Sequence, residues 1–107
     1  MSGGLEDILS QVSAWRDQGE RVALATVIAT WGSSPRPVGS QMAVAESGRI
    51  IGSVSGGCVE SAVAEAGLAT LTNHRPQVLD YGVSNEKAWE IGLACGGRLT
   101  VFVEEVE

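Results

Sequence analysis

The chain has 107 residues, a formal net charge of −6 at pH 7, 14 glycines and two cysteines. Its length corresponds to one domain with a core of its own. Its acidic balance, without any Lys/Arg cluster, disfavours a nucleic-acid-binding protein. No apolar run reaches the roughly 18–20 residues needed to span a membrane, and the polar, acidic N-terminus is unlike a signal peptide. We therefore expect a cytoplasmic protein with reduced thiols.

The first third of the chain predicts a packing helix, a central strand and a rigid loop. Residues 5–18 carry apolar side chains at helical spacing, at Leu5, Ile8, Val12 and Trp15. Residues 21–30 are almost continuously apolar, which is typical of a strand buried on both faces. In residues 32–40 two prolines stiffen the loop around Arg36. That arginine could donate to a phosphate or project into solvent from a surface loop.

The rest of the chain predicts alternating strands and helices. Period-two patterns and turn residues indicate strands over residues 41–45, 50–54, 77–81 and 98–104. A helix over residues 58–72 that ends near Asn73 is predicted by small apolar residues at helical spacing, at Val59, Ala62, Val63, Ala66 and Ala69 or Thr70. Glu60 would complement the helix dipole in its first turn. Ser84 could cap a short helix over residues 84–91. Together these elements predict an α/β domain with about five strands in a mixed sheet and two to three helices.

Each of the two cysteines lies beside a pair of glycines, in Gly56-Gly57-Cys58 and Cys95-Gly96-Gly97. Paired glycines let a ligand approach the backbone closely. Cys58 would stand at the start of a helix, where the helix dipole favours the thiolate. The alternative is that both cysteines are small residues in tight turns.

Several kinds of thiol chemistry are disfavoured by spacing. His74, the only histidine, lies about 24 Å from Cys58 along the predicted helix, whereas a cysteine hydrolase needs contact between the two side chains. Two cysteines and one histidine are too few for a structural zinc site, and no Cys-x-x-Cys redox motif occurs. The possibility that is left is a thiolate in a glycine-lined hollow. Such a thiolate suits copper, iron–sulfur or molybdenum–sulfur chemistry, or it could hold a persulfide.

Three segments together resemble one protein family: Gly-Ser-Ser-Pro-Arg-Pro at residues 32–37, Ser-Val-Ser-Gly-Gly-Cys-Val-Glu at residues 53–60, and Cys95-Gly96-Gly97. Their order and spacing are similar to the N-terminal domain of the XdhC/CoxI family, and the resemblance covers roughly residues 8–104. Members of this family are accessory proteins of molybdenum hydroxylases such as xanthine dehydrogenase and carbon monoxide dehydrogenase.

The resemblance implies a non-catalytic protein that binds molybdenum cofactor (molybdopterin) transiently and helps its sulfuration and insertion into a molybdenum hydroxylase. By this resemblance Cys58 and Cys95 would be the thiols at the metal or its sulfur. Arg36 would meet the phosphate or pterin end of the cofactor. The remaining residues of the implied cofactor pocket are Ser55, Gly56, Gly57, Gly96 and Gly97.

The resemblance also implies the partners. These are the apo molybdenum hydroxylase, a sulfurtransferase and, because typical members continue into a Rossmann-like domain, a separate Rossmann-domain chain. We expect one family domain over residues 1–107, without a C-terminal Rossmann domain, and a homodimer could complete the site. Two alternatives stay open: a thiol-based sulfur-carrier or redox enzyme, and a structural module that assembles with a Rossmann partner.

Overall fold

A computed structural model of the protein describes residues 5–31, 37–55, 59–81 and 98–106. The helices and strands follow in the order α1 (Leu5–Asp17), β1 (Val22–Trp31), β2 (Gln41–Ala45), β3 (Ile50–Gly52), α2 (Glu60–Asn73), β4 (Gln77–Tyr81) and β5 (Arg98–Glu105). Each of these was predicted: the bounds of β2 and β4 agree with the prediction, and those of the other elements differ from it by one or two residues. The short helix predicted over residues 84–91 lies outside the described residues.

The five strands form one sheet in the order β3-β2-β1-β5-β4, with the continuously apolar β1 at its centre. The five-stranded α/β architecture is thereby confirmed. Each of the four described pairings is antiparallel, which corrects the expectation of a mixed sheet. The antiparallel arrangement follows because β1, β2 and β3 are successive neighbours without a crossover helix between them. A register shift between Val27 and Ala29 marks a bulge in β1.

The two helices pack on opposite faces of the sheet. α1 covers β2 and the start of β1, and its buried residues Ile8, Val12 and Trp15 contact Val22, Ala43 and Ala45. α2 covers the other face, where the larger core includes Ala23, Ala25, Val44, Val63, Leu71, Leu99, Val101 and Val103. Successive residues of β1 therefore serve different cores, which explains why this strand is apolar at nearly every position.

Helix α2 connects β3 at one edge of the sheet with β4 at the other edge. It can pack closely because a Cβ atom at Gly67 would lie only 2.5 Å from Cγ1 of Val44. The helix ends one residue later than predicted: His74, not Asn73, adopts the left-handed conformation, with φ 60°. The His74 backbone N–H donates to the carbonyl of Thr70 at 2.8 Å, which closes the last turn.

Within the described ranges, no helix has both the length and the apolar character to cross a membrane.

Candidate functional site

Of the residues that the sequence assigns to a cofactor, the structure describes Ser55. The others, Arg36, Gly56, Gly57, Cys58, Cys95, Gly96 and Gly97, lie outside the described residues. Their roles therefore stay predictions. The described chain nevertheless reaches both ends of the segment that carries Cys58, because residues 53–55 precede it and residues 59–60 follow it.

The carboxylate of Glu60, the first residue of α2, accepts hydrogen bonds from residues 53–55, which come directly before this segment. The backbone N–H groups of Val54 and Ser55 donate to its Oε2, each at 3.0 Å. The hydroxyl of Ser55 donates to Oε1 at 2.6 Å, and the hydroxyl of Ser53 donates to Oε2. One side chain thus binds three consecutive residues, Ser53, Val54 and Ser55. We call these hydrogen bonds, together with the one from the backbone N–H of Val59 to the side chain of Ser55, the Glu60 network.

Ser55 joins the two ends of the segment directly. Its side-chain oxygen accepts a hydrogen bond from the backbone N–H of Val59 at 2.9 Å, while its hydroxyl proton goes to Glu60. Ser55 is 0% exposed to solvent. These contacts lie within the loop itself, so the structure shows a loop-forming role for Ser55, and its predicted contact with a cofactor stays a prediction.

The electrostatics of Glu60 follow from this network. Burial on its own would raise the pKa of the Glu60 carboxyl, because a partly buried carboxylate loses hydration. The hydrogen bonds from Ser53, Ser55 and the backbone N–H groups of Ser55 and Val54 outweigh that effect and lower the pKa to about 2. Glu60 is therefore a carboxylate at any physiological pH, and it acts as an acceptor and not as a proton donor.

The loop that carries the Glu60 network is fixed to the core on both sides. Val54 and Val59 are buried in the core beneath α2. Gly52, the last residue of β3, has φ +86°, and a Cβ atom there would lie 2.4 Å from the carbonyl oxygen of Gln41. Only glycine can therefore end β3 at this point. The chain enters and leaves residues 56–58 from positions that packing has already set.

A second polar cluster lies at the opposite end of α2. The guanidinium of Arg21 donates to both oxygens of Glu105 at 2.9 Å, to the carbonyl of Leu71, and lies 3.1 Å from Nδ1 of His74. Hydrogen bonding to Arg21 lowers the pKa of Glu105, and this effect outweighs the partial desolvation, which would raise it. The cluster ties β1, β5 and the end of α2 together, a role that is structural.

A cavity of about 540 Å³ opens beside this second cluster. Its lining includes Leu24, Phe102 and Val106 together with His74, Glu104 and Glu105. Ser55, which is the described residue among those that the sequence assigns to a cofactor, does not line it. No sequence pattern indicated this cavity, because it forms where β5 extends past the start of β4. Among the described residues no group of three His, Cys, Asp or Glu side chains is placed to hold a metal ion.

Sequence reasoning identified Glu60 as a favourable acidic residue in the first turn of α2, but did not identify its contacts. A signal existed in the order Ser-Val-Ser-Gly-Gly-Cys-Val-Glu. Two hydroxyls lie shortly before a carboxylate, and the glycines between them allow the chain to turn back.

Comparison with known proteins gives a consistent result. Residues 15–82 match the family described as "XdhC and CoxI family". The chain is 38% identical over 82% of its length to the molybdenum cofactor insertion chaperone PaoD of Escherichia coli, and 30% identical over 91% of its length to a probable xanthine dehydrogenase subunit of Bacillus subtilis. A solved structure described as a xanthine dehydrogenase from Bacillus halodurans covers 92% of the chain with a TM-score of 0.76 and 27% identity.

The chain spans a minor part of each of these relatives. It covers 27% of PaoD, 30% of the Bacillus subtilis protein and 30% of the solved Bacillus halodurans chain.

Proposed function

Because this chain belongs to the XdhC and CoxI family, we propose that it is an accessory protein that binds molybdenum cofactor and helps its sulfuration and insertion into an apo molybdenum hydroxylase. The observation that carries this proposal is the 38% identity, over 82% of the chain, to a protein named as a molybdenum cofactor insertion chaperone. We place the function in the cytoplasm, where cysteine thiols stay reduced.

The proposed binding residues are those that the sequence singled out. Thiolates are soft ligands that suit molybdenum–sulfur chemistry, so the donor set fits the group, and Cys58 and Cys95 would hold the metal or its sulfur. When bound, the cofactor supplies the redox centre that the hydroxylase uses. The chain itself contributes shape: the Glu60 network fixes the residues on both sides of the segment that contains Cys58. Arg36 and the glycine pairs complete the proposed pocket.

The proposed partners follow from the same family membership. The client is an apo molybdenum hydroxylase, and a sulfurtransferase would supply sulfur. Since the chain spans 27% of PaoD, we propose that the site is completed by further protein, either a Rossmann-domain chain or a second copy of this chain.

The test is retention of molybdenum cofactor through gel filtration, with molybdenum and pterin measured in the protein fraction. Wild-type protein should retain the cofactor, and Cys58→Ala and Cys95→Ala should each retain at least about ten-fold less, which corresponds to roughly 1.4 kcal/mol or more. Glu65→Gln, an exposed change on α2, should behave as wild type. Equal retention by all variants would remove the thiols from the site, and no retention by wild type, alone or with a Rossmann-domain partner, would refute cofactor binding.

A further inference from the structure

We propose that the cavity beside the second polar cluster binds a small organic cation: an amine whose ammonium group pairs with Glu104 and whose apolar part lies against Leu24 and Phe102. The inference uses none of the residues of the proposed cofactor pocket, and it does not depend on the proposed function. It gives a role to a cavity that the binding and insertion of a cofactor leave without one.

The cavity exists because β4 and β5 differ in length. The pairing of the two strands begins at Gln77 and Val103, whereas β5 continues to Glu105 and stays paired with β1 on its other side. A gap is therefore left beside the end of β5, and Pro76 and His74 border it. Its volume of about 540 Å³ lies within the usual range for small-molecule pockets, roughly 300–1,000 Å³.

The lining of the cavity differs between the two faces of β5. Side chains alternate along a strand, so Phe102, Glu104 and Val106 share one face. Leu24 lies on the same face, because it pairs with Glu104 in the register of β1 and β5. Glu105 points to the opposite face, where it belongs to the second polar cluster. On the first face the cavity therefore offers a ligand an apolar wall with one carboxylate beside it.

The two glutamates of the lining differ in their charge balance. The carboxylate of Glu105 is paired with Arg21, whose guanidinium donates to both of its oxygens at 2.9 Å. In the part of the chain that the structure describes, neither an ion pair nor a side-chain hydrogen bond engages Glu104. Glu104 is also half-buried, and a carboxylate beside apolar groups attracts a cation more strongly than one in open water. The charge of Glu104 is thus available to a ligand.

The same lining disfavours other classes of ligand. An anion would meet two carboxylates in a chain with a net charge of −6. A divalent metal ion needs several oxygen ligands that converge on it, whereas Glu104 and Glu105 point to opposite faces of β5. A purely apolar ligand would cover the carboxylate of Glu104 without pairing it, which is costly. An ammonium group on a compact apolar body avoids both costs, and the ring of Phe102 can add a cation–π contact.

The experiment measures the binding of three probes to the purified protein: phenethylamine, phenethyl alcohol and phenylpropionate. The probes share a phenyl ring and differ in charge, and titrations followed by methyl NMR give their affinities. We expect the amine to bind at least about five-fold more tightly than the alcohol, as a charge-assisted contact at a partly buried carboxylate predicts. Phenylpropionate should bind more weakly than the alcohol. Equal affinities of the amine and the alcohol would overturn the proposal.

The same spectra locate the bound amine. Its largest shifts should occur at the methyl groups of Leu24 and Val106, which line the cavity. Val78 is exposed on the sheet but does not line the cavity, so its methyl groups should not move. Shifts at Val78 without shifts at Leu24 and Val106 would place the amine outside the cavity and refute the assignment.

Glu104→Gln tests the residue on which the proposal depends. The glutamine keeps the size of the side chain and removes its charge, so the preference for the amine over the alcohol should fall below about two-fold. Glu65→Gln removes the same charge from an exposed position of α2 that does not line the cavity, and it should keep the full preference. A preference that is unchanged in Glu104→Gln, or reduced equally in both variants, would show that the acidic chain attracts the amine without a site at Glu104.

Discussion

Arg21 shows how one side chain can join three elements of this fold. It stands just before β1, and its guanidinium forms a two-point contact with Glu105 of β5 while it also donates to the carbonyl of Leu71 in the last turn of α2. Its own backbone N–H donates to Glu46 at 2.9 Å. The planar guanidinium is required for this arrangement because its donors diverge in fixed directions.

Arg21→Lys should therefore lower the thermal stability of the protein although the charge is kept. An ammonium cannot reach both oxygens of Glu105 and the Leu71 carbonyl at once. We expect a decrease in Tm of about 2–4 °C, measured by circular dichroism, which is the scale of a modest local contact in a domain of this size. Arg75→Lys, at an exposed position, should leave Tm unchanged, and an equal Tm in both variants would show that the fork geometry does not matter.

The sequence anticipated the composition of these polar clusters better than their geometry. The charge of Glu60 was predicted to favour the first turn of α2, and this follows from local chemistry alone. Its hydrogen bonds to Ser53 and Ser55 depend on how β3 ends and where α2 begins. The pairing of Arg21 with Glu105 spans 84 positions in the chain, and no local pattern encodes such a contact.

At the scale of elements, α2 was predicted correctly as a helix but with an inexact buried face. Either Ala69 or Thr70 was placed on that face, and of these Thr70 is buried and Ala69 is exposed. Gly67 and Leu71, which were not placed there, are also buried. The reason is that a helix built from alanine, glycine and threonine has little contrast between its faces. Packing against the sheet, and not hydrophobic periodicity, decides which side is covered.

Gly67→Ala should destabilise the protein, although alanine is the better helix former. Helix propensity alone would stabilise the variant by about 1 kcal/mol. The new Cβ, however, would lie 2.5 Å from Cγ1 of Val44 and 3.3 Å from Cβ of Ala23. Valine is a stiff side chain in a buried strand, so we expect overpacking to prevail, with a net loss of about 1 kcal/mol in urea unfolding.

The matched control for this prediction is Ala69→Gly on the exposed side of α2. It should cost about 1 kcal/mol from propensity alone. If Gly67→Ala instead raised the unfolding midpoint, the close approach of α2 to β2 would not be limiting.

At the scale of the whole molecule, the sheet is covered unequally. α2 lies across one face, while α1 covers the β2 side of the other face. On the α1 face of β4, Val78 is 60% exposed, and it pairs with Phe102 of β5. The alternating pattern of β5 correctly predicted a strand with two different faces. The pattern could not show how much of this face of the sheet α1 covers, because that depends on the placement of β5 between β1 and β4.

The stability of the whole domain should depend on pH through Glu60. Its folded-state pKa, about 2, lies below the ordinary value of 4.5, so the carboxylate stabilises the fold above pH 4.5 and loses that effect as pH falls towards 2. In a fully buried site the shift would correspond to about 3 kcal/mol. Solvent screening of this partly exposed group reduces the expected contribution to about 1–2 kcal/mol. Glu105, whose pKa is also lowered, acts in the same direction.

The variant Glu60→Gln isolates this contribution from general acid effects. At pH 7 it should be less stable than wild type by about 1–2 kcal/mol in urea unfolding. The difference should shrink as pH falls from 4.5 to 2.5, because the unfolded wild-type chain then takes up a proton at Glu60 that the folded protein, with its lower pKa, does not take up. Glu65→Gln, on the exposed side of α2, should follow the wild-type curve throughout. A difference between Glu60→Gln and wild type that stayed constant with pH would mean that the network stabilises the protein through shape alone, and that the charge of Glu60 contributes nothing to the fold.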